Sequence, residues 1–166
     1  MKIFYAIACG FMGITLFCMP VYAATRLVQH VSDGDTLILD RGERVRLIGL
    51  DAPEIHDQQR NKTNAWRYKC DDSAINQHAD VSRQYLKQLI EGKSVRLEYD
   101  KEMRDKYGRT LAYVYREKDG LLVNAEIVRQ GHAWAYLRFP FEQSEKFKSY
   151  QEEARSHRSG LWKDCR

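Results

Sequence analysis

Proline and glycine are scarce in this chain of 166 residues, which contains 3 Pro and 10 Gly. That scarcity excludes a collagen-like or linker-like chain. Charge of one sign is not in large excess either, because 27 Lys and Arg face 23 Asp and Glu and leave a net charge of +4. With 43% hydrophobic residues, the composition argues against disorder and predicts one domain with a real core. The mild basicity suits a polyanionic partner without requiring one.

Charged residues are almost absent from the first 25 positions, where one lysine is the only example. An apolar run over residues 3–19 is followed by small residues at Val21 and Ala23. This pattern predicts a signal peptide, residues 1–23, and a mature domain, residues 24–166. A single membrane anchor is the alternative, although the run is slightly short for a span. Cleavage would give an exported protein, periplasmic or secreted, with no remaining membrane attachment; we expect a monomer with no stable protein partner.

Cysteine is also rare, and only Cys70 and Cys165 lie beyond the predicted cleavage site. Neither belongs to a CxxC or Cys/His zinc pattern. In an oxidising compartment they form either a disulfide or two free thiols. We favour the disulfide, which would tie a loop to the C-terminal tail.

Hydrophobic periodicity predicts a small α+β domain. Alternating apolar residues predict five strands, at 26–31, 36–40, 45–48, 95–99 and 110–115. Apolar residues spaced by three and four predict three helices, at 75–90, 122–128 and 147–157. Residues 54–72 are polar and are interpreted as a long loop with Trp66 and Cys70 as its anchors, and Gly49 is expected to mark a bulge or a close approach. Five short strands of this kind fit a closed or nearly closed barrel.

Three polar clusters carry the residues with chemical potential: 33–36, 46–54 and 105–109. Asp35, Asp51 and Glu54 lie near strand ends, and carboxylates suit a hard cation such as Ca²⁺. Arg46 and Arg109 offer paired donors for a phosphate group. Each cluster alone has a simpler interpretation as a solvated turn or a helix cap. Together they supply carboxylates for a metal, a carboxylate for water and two guanidinium groups for phosphate, which phosphodiester hydrolysis requires.

These clusters resemble the thermonuclease family, the staphylococcal nuclease-like domains. The resemblance runs from about Val28 to Trp162 and so covers nearly the whole predicted mature chain. It rests on several motifs, which read VSDGDT at 31–36, RLIGLDAPE at 46–54, DKYGR at 105–109 followed by LAY at 111–113, VN at 123–124, VRQG at 128–131 and GLW at 160–162. The segment after Glu54 is longer than in the shortest members of the family, so substrate access beside the site is left open.

The resemblance implies a five-stranded OB-fold barrel with three helices. It also implies calcium-dependent cleavage of DNA and RNA with little sequence preference, leaving 3′-phosphate ends. In that family the calcium carboxylates fall on Asp35 and Asp51, and a backbone carbonyl ligand falls on Ala52. The catalytic carboxylate falls on Glu54, which positions or deprotonates the attacking water.

The same resemblance assigns the groups that hold the substrate. The two phosphate-binding arginines fall on Arg46 and Arg109. Lys106 and Tyr107 match positions that contact a terminal phosphate of bound nucleotide, and Tyr136 is expected to line the base side of the pocket.

Two other interpretations are weighed against the nuclease. One is a catalytically inactive OB-fold module that binds nucleic acid, but such modules usually lack the carboxylate and arginine set present here. The other is an exported structural or adhesive domain that binds Ca²⁺ only for stability. Such a domain would melt at a higher temperature with Ca²⁺ and would cleave nothing.

Overall fold

The computed structural model describes residues 25–165, so the predicted signal peptide lies outside the described residues. The described part contains seven strands: β1 (Arg26–Asp33), β2 (Thr36–Leu39), β3 (Arg44–Leu47), β4 (Leu50–Asp51), β5 (Ser94–Glu98), β6 (Thr110–Arg116) and β7 (Trp134–Ala135). It also contains four α-helices: α1 (Gln58–Tyr68), α2 (Asp72–Ile90), α3 (Val123–Arg129) and α4 (Ser144–Ser156). None of these helices is both long enough and apolar enough to span a lipid bilayer.

Five strands close a barrel in the order β1-β2-β3-β6-β5. All neighbours are antiparallel except β3 and β6, which run parallel with Val45 opposite Thr110. Alternate side chains of the strands fill the interior, among them Val28, Leu37 and Val45, each with no exposed surface. The predicted fold class, an α+β domain built on a five-stranded OB-fold barrel, is therefore confirmed.

Helix α2 covers one end of this barrel and has the buried face that the sequence predicts. Its N-terminus is capped by Asp71, whose side chain accepts hydrogen bonds from the backbone N–H groups of Ser73 and Ala74. Its buried residues follow helical spacing and are Ile75, Ala79, Ser82, Leu86 and Ile90. Helix α3 and helix α4 also lie where the periodicity places them.

The expected long loop over residues 54–72 is wrong, because most of it forms helix α1. The helix begins after Asp57, which accepts a hydrogen bond from Arg60 N–H, and ends at Lys69 in the left-handed region. Its buried face consists of Asn61, Asn64 and Ala65. Amide side chains therefore replace the apolar residues on which periodicity depends, and the structure has four α-helices instead of three.

Of the two anchors expected in this segment, Cys70 is confirmed and Trp66 is wrong. Trp66 is 84% exposed, so its ring is not packed into the core. Tyr68 instead stacks on Trp134 with ring centres 4.8 Å apart. Just beyond the helix, Cys70 and Cys165 form a disulfide that spans 95 positions of sequence. This bond lies beside a second apolar cluster, which includes Trp134 and Trp162.

A buried amide joins the two parallel strands near the site. The Asn124 side chain donates to the carbonyls of Ile48 and Ala112, each at 3.0 Å, and accepts from Val114 N–H at 2.8 Å. It thereby links the residue that follows β3 to strand β6. Gly49 comes next, with φ +80° and the Phe141 ring 2.6 Å from where a β-carbon would lie. The close approach expected at Gly49 is confirmed.

Candidate active site

Three carboxylates converge where the chain leaves the barrel. Asp35 immediately precedes β2, Asp51 ends β4, and Glu54 follows three residues later. One oxygen from each lies within 4.8 Å of the other two. Asp35 and Asp51 are buried and Glu54 is half-buried. Oxygen donors at this spacing match the ligand chemistry of a hard divalent cation such as Ca²⁺, and we call this group the carboxylate cluster.

Arg46 lies against the same cluster from strand β3. The register of the β2–β3 hairpin places it opposite Thr36, next to Asp35 in sequence. Its guanidinium forms ion pairs with Asp35 and with Asp51, the latter at 3.0 Å. Because the side chain is only 11% exposed, these pairs are little screened by solvent. The arginine is thus held at the site by two of the carboxylates.

The backbone of Ala52 also touches the cluster. Its N–H donates to Asp35 Oδ2 at 3.2 Å, and the Thr36 hydroxyl donates to the other oxygen of that carboxylate at 2.9 Å. Ala52 is 1% exposed. The structure therefore brings the residue predicted as a carbonyl ligand into direct contact with Asp35.

Helix α1 contributes site residues that sequence reasoning missed. Arg60 forms ion pairs with Asp51 and with Glu54, the latter at 2.5 Å. Asn64, one helical turn later, donates to Asp51 Oδ2 at 3.0 Å. Asn61 binds the backbone of Glu54 on both sides, accepting from its N–H at 2.8 Å and donating to its carbonyl at 2.7 Å. Once a helix is recognised from its Asp57 cap, their spacing places all three on one face.

Glu54 lies in surroundings that disfavour its charge. Burial, a hydrogen bond with the Asp33 side chain and the charge of Asp35 raise the pKa of Glu54 to about 8, although the ion pair with Arg60 opposes them. Burial likewise raises the pKa of Asp33. A cation bound in the cluster would favour the ionised form of Glu54.

A cleft of about 1000 Å³ opens from the cluster, and we call it the active cleft. Arg46 and Asp51 line its inner end, and Arg109 lines its wall. The Arg109 Nε donates to Asp105 Oδ2 at 2.7 Å. Among residues 25–165, no ion pair joins Arg109 to the carboxylate cluster. The structure thus groups Asp35, Asp51, Glu54 and Arg46 closely and sets Arg109 on the wall beside them.

The three residues predicted to hold substrate also line this cleft: Lys106, Tyr107 and Tyr136. Tyr107 is 73% exposed, with Lys106 Nζ 5.0 Å and Arg109 Cζ 5.6 Å from its ring centre. Tyr136 is half-buried, and its N–H donates to the Gly49 carbonyl at 2.9 Å. Two aromatic rings and several cations on one cleft suit a flexible strand that carries both bases and phosphates.

Comparison with known proteins identifies nucleases and their homologues as relatives of this chain. The family model for staphylococcal nuclease homologues matches residues 44–164. The thermonuclease of Staphylococcus intermedius is 34% identical over 143 residues, covering 82% of this chain and 74% of the relative. The thermonuclease of Staphylococcus hyicus is 31% identical over 142 residues, covering 83% of this chain and 75% of the relative. A protein of Escherichia coli O157:H7 described as an uncharacterized endonuclease is 35% identical over 155 residues, covering 90% of this chain and 86% of the relative.

Proposed function

The chain belongs to the staphylococcal nuclease family, and from this membership and the site geometry we propose that it is a calcium-dependent endonuclease of DNA and RNA. The observation that carries the proposal is the carboxylate cluster, with oxygens of Asp35, Asp51 and Glu54 within 4.8 Å of one another. The guanidinium groups of Arg46 and Arg109 line the active cleft beside this cluster. A metal-binding module without catalytic function would not need this combination.

Calcium suits the donor set, and Asp35, Asp51 and the Ala52 carbonyl are the groups that would hold it. When bound, the ion supplies positive charge next to a phosphate oxygen. Buried carboxylates of like charge are costly to keep together without a cation. In the structure Arg46 and Arg60 provide that compensation, since both form ion pairs with Asp51.

The chain's own residues divide the chemistry between them. Glu54 accepts a proton from, or orients, the water that attacks phosphorus, because it is the cluster carboxylate with the greatest exposure. Arg46 and Arg109 bind the equatorial oxygens, on which negative charge grows as phosphorus becomes five-coordinate. Loss of one such donor typically costs roughly 10²–10³ in rate. Attack opposite the 5′ oxygen would leave a 3′-phosphate end on the product.

The breadth of the substrate range follows from the cleft. Its contacts to substrate would come from guanidinium groups and exposed tyrosine rings such as that of Tyr107, which do not distinguish one base from another. Nothing in these contacts requires or excludes a 2′-hydroxyl. We therefore assign cleavage of both DNA and RNA, with flexible single strands preferred because the phosphate must reach a buried cluster.

The test is a set of digests with plasmid DNA, denatured DNA and RNA. Each substrate is incubated with Ca²⁺, with Mg²⁺ and with a calcium chelator, and the product ends are identified. We expect cleavage with Ca²⁺, loss of cleavage with chelator, and 3′-phosphate ends. Glu54→Gln should lower the rate by roughly 10²–10⁴, the range for a general base.

The matched control for that variant is Glu145→Gln, which removes an exposed carboxylate near the start of α4. It should cleave at the wild-type rate. Equal activity of Glu54→Gln and wild type would refute the assigned role. Ca²⁺-dependent stabilisation with no cleavage of any substrate would instead support a structural calcium domain.

Export is a separate proposal that rests on the sequence of residues 1–23. We propose that this segment is removed after Ala23 and that the domain acts in the periplasm or outside the cell. Sequencing of the mature protein should begin at Ala24. Mature protein that still begins at Met1 would contradict export by cleavage.

A further inference from the structure

A second cavity, of about 500 Å³, adjoins the active cleft. Arg41, Arg44 and Arg104 lie on its wall, and we call it the arginine groove. Arg104, Tyr107 and Arg109 line both the groove and the active cleft. The two cavities therefore share a wall, and a long ligand can leave one and enter the other.

Strand β3 sets a regular spacing between the two cavities. Arg44 and Arg46 are two residues apart, so their side chains leave the same face of the strand about 6.6 Å from each other. Val45 between them points into the barrel and has no exposed surface. Arg41 continues the row in the turn before the strand. The row begins in the buried cluster at Arg46 and ends at the surface.

The groove is positive because its nearby acids are already paired. Glu43 lines the groove, and Arg26 donates to Glu43 Oε2 at 2.5 Å and to Asp40 Oδ1 at 2.7 Å. Asp105 is paired with Arg109. Arg41 and Arg44 are exposed, and neither forms an ion pair with any residue between 25 and 165. Two guanidinium groups that line one concave surface and are not paired with its carboxylate are suited to an external anion.

We propose that the arginine groove binds the phosphodiester backbone of the substrate strand beside the bond that is cleaved. This inference rests on the proposed function, which gives the active cleft a nucleic-acid substrate. A strand whose phosphate reaches Arg46 passes the exposed ring of Tyr107, on which a base can stack. Its flanking phosphates then lie at Arg44 and Arg41, where guanidinium groups can each donate two parallel hydrogen bonds.

The groove would make affinity depend on the length of the strand. A short oligonucleotide that fills only the active cleft does not reach Arg41 or Arg44. A longer strand gains two phosphate contacts and releases the counterions bound to them. For single strands each such contact adds about 0.7 to the slope of log affinity against log salt concentration.

The experiment measures the binding of labelled single-stranded DNA of two lengths. A strand of about 3 nucleotides can occupy one cavity, and a strand of about 12 nucleotides can occupy both. Fluorescence anisotropy is measured with Ca²⁺ in protein carrying Glu54→Gln, so that substrate survives. The groove variant adds Arg41→Gln and Arg44→Gln. The control adds Lys146→Gln and Lys148→Gln, which removes the same charge from exposed positions of α4 that line neither cavity.

We expect the groove variant to bind the longer strand roughly tenfold more weakly at low salt and its salt slope to fall by about 1.4. Its affinity for the shorter strand and its melting temperature should match those of the control. Equal losses in the groove variant and the control, or an unchanged salt slope, would overturn the proposal, as would no binding of the longer strand at all. Arg104 lines both cavities, so Arg104→Gln should lower the salt slope by about 0.7 for the longer strand and should also weaken binding of the shorter one.

The two proposals fail separately. If the wild-type protein cleaves nothing while the longer strand still binds through the groove, the nuclease assignment fails and the groove assignment stands. For the cleavage assay the groove and control substitutions are made in protein that keeps Glu54. If that protein cleaves and Arg41→Gln with Arg44→Gln digests long strands as fast as Lys146→Gln with Lys148→Gln under subsaturating substrate, the groove assignment fails alone.

Discussion

Gly34 lies directly against Ala52: a β-carbon on Gly34 would come within 2.6 Å of the Ala52 β-carbon. Ser82 closes the other side at 3.0 Å. The turn before Asp35 and the chain after Asp51 are therefore packed so closely that a side chain at position 34 would force one of them to move. Both segments carry residues of the carboxylate cluster.

Gly34→Ala should displace Ala52 and the groups attached to it. We expect weaker Ca²⁺ binding, slower cleavage and a loss of about 1–3 kcal/mol in unfolding free energy, the usual range for overpacking. Calorimetric titration with Ca²⁺ and urea denaturation measure the first and last of these. The control is Gly120→Ala, where φ is +69° but nothing lies within 4 Å. It should lower stability by backbone strain alone and leave Ca²⁺ affinity unchanged. Equal Ca²⁺ affinity in Gly34→Ala and wild type would contradict the argument.

Arg60→Ala should tighten Ca²⁺ binding. The Arg60 guanidinium forms an ion pair with Asp51, so it competes with a cation for the same carboxylate. A unit charge at about 4 Å is worth about 1 kcal/mol even in bulk water, and we expect at least a roughly fivefold lower dissociation constant. Lys62→Ala is the matched control, because Lys62 also lies on α1 but is exposed and forms no ion pair with any residue from 25 to 165. Weaker binding in Arg60→Ala would show that the arginine supports the cation site.

Reduction of the Cys70–Cys165 disulfide should destabilise the domain. The bond closes a loop of 95 positions, and a link of that span contributes about 4.7 kcal/mol in the chain-entropy account. Urea denaturation with and without a reductant measures the change. A variant with both cysteines replaced by alanine should be as unstable as the reduced protein and insensitive to reductant. Identical midpoints for oxidised and reduced protein would exclude a stabilising role.

The free energy of unfolding should decrease in mild acid because His132 is half-buried in its neutral form. Burial, with a smaller effect from His78, lowers its pKa to about 4, although Glu126 opposes them. Between pH 6.5 and 4 the unfolded chain therefore binds a proton that the folded protein does not, and unfolding becomes easier as pH decreases. The contribution of neutral His132 to the free energy of unfolding is fully present above pH 6.5. We expect the free energy of unfolding to fall by about 1–2 kcal/mol between pH 6.5 and pH 4.5, a value reduced for the partial exposure of the ring.

His132→Phe tests that assignment, since a phenyl ring can keep the stack on Tyr85, where the ring centres are 4.1 Å apart. Unfolding free energies of both proteins at pH 7 and pH 4.5 give the comparison. The variant should lose less stability between the two pH values than the wild type. Carboxylates titrate in both proteins, so their contribution cancels in the difference. Identical losses would show that His132 is not responsible.

Sequence patterns predicted the barrel because its strands alternate apolar and polar residues and its main helix buries every third or fourth residue. They failed for α1, whose inward face carries Asn61 and Asn64. Apolar periodicity cannot detect a helix that is buried through amide groups. Strands β4 and β7 were also missed, because two residues are too few to show alternation.

The carboxylate cluster could be predicted in outline because most of its residues are close together in sequence. Asp35 immediately precedes β2, and Arg46 lies on β3 after one short turn. Asp51 and Glu54 follow a few residues later, so local sequence carries most of the geometry. Arg60 approaches from a helix that was not predicted, and its role could not be inferred. The pairing of Arg109 with Asp105 was likewise hidden, since sequence spacing does not show which neighbour a side chain binds.

Asn124, in the first turn of α3, adds side-chain hydrogen bonds to the direct pairing of β3 with β6 and so helps to hold the two arginine-bearing segments together. Its amide holds the backbone just after β3, which contains Arg46, to β6, which follows Arg109. Buried hydrogen bonds, and not the exposed turns at the mouth of the cleft, therefore connect the strand that carries Arg46 to the strand that follows Arg109. A change at position 124 would reach the cleft through the backbone, although within residues 25–165 the side chain itself hydrogen-bonds to no substrate-binding residue.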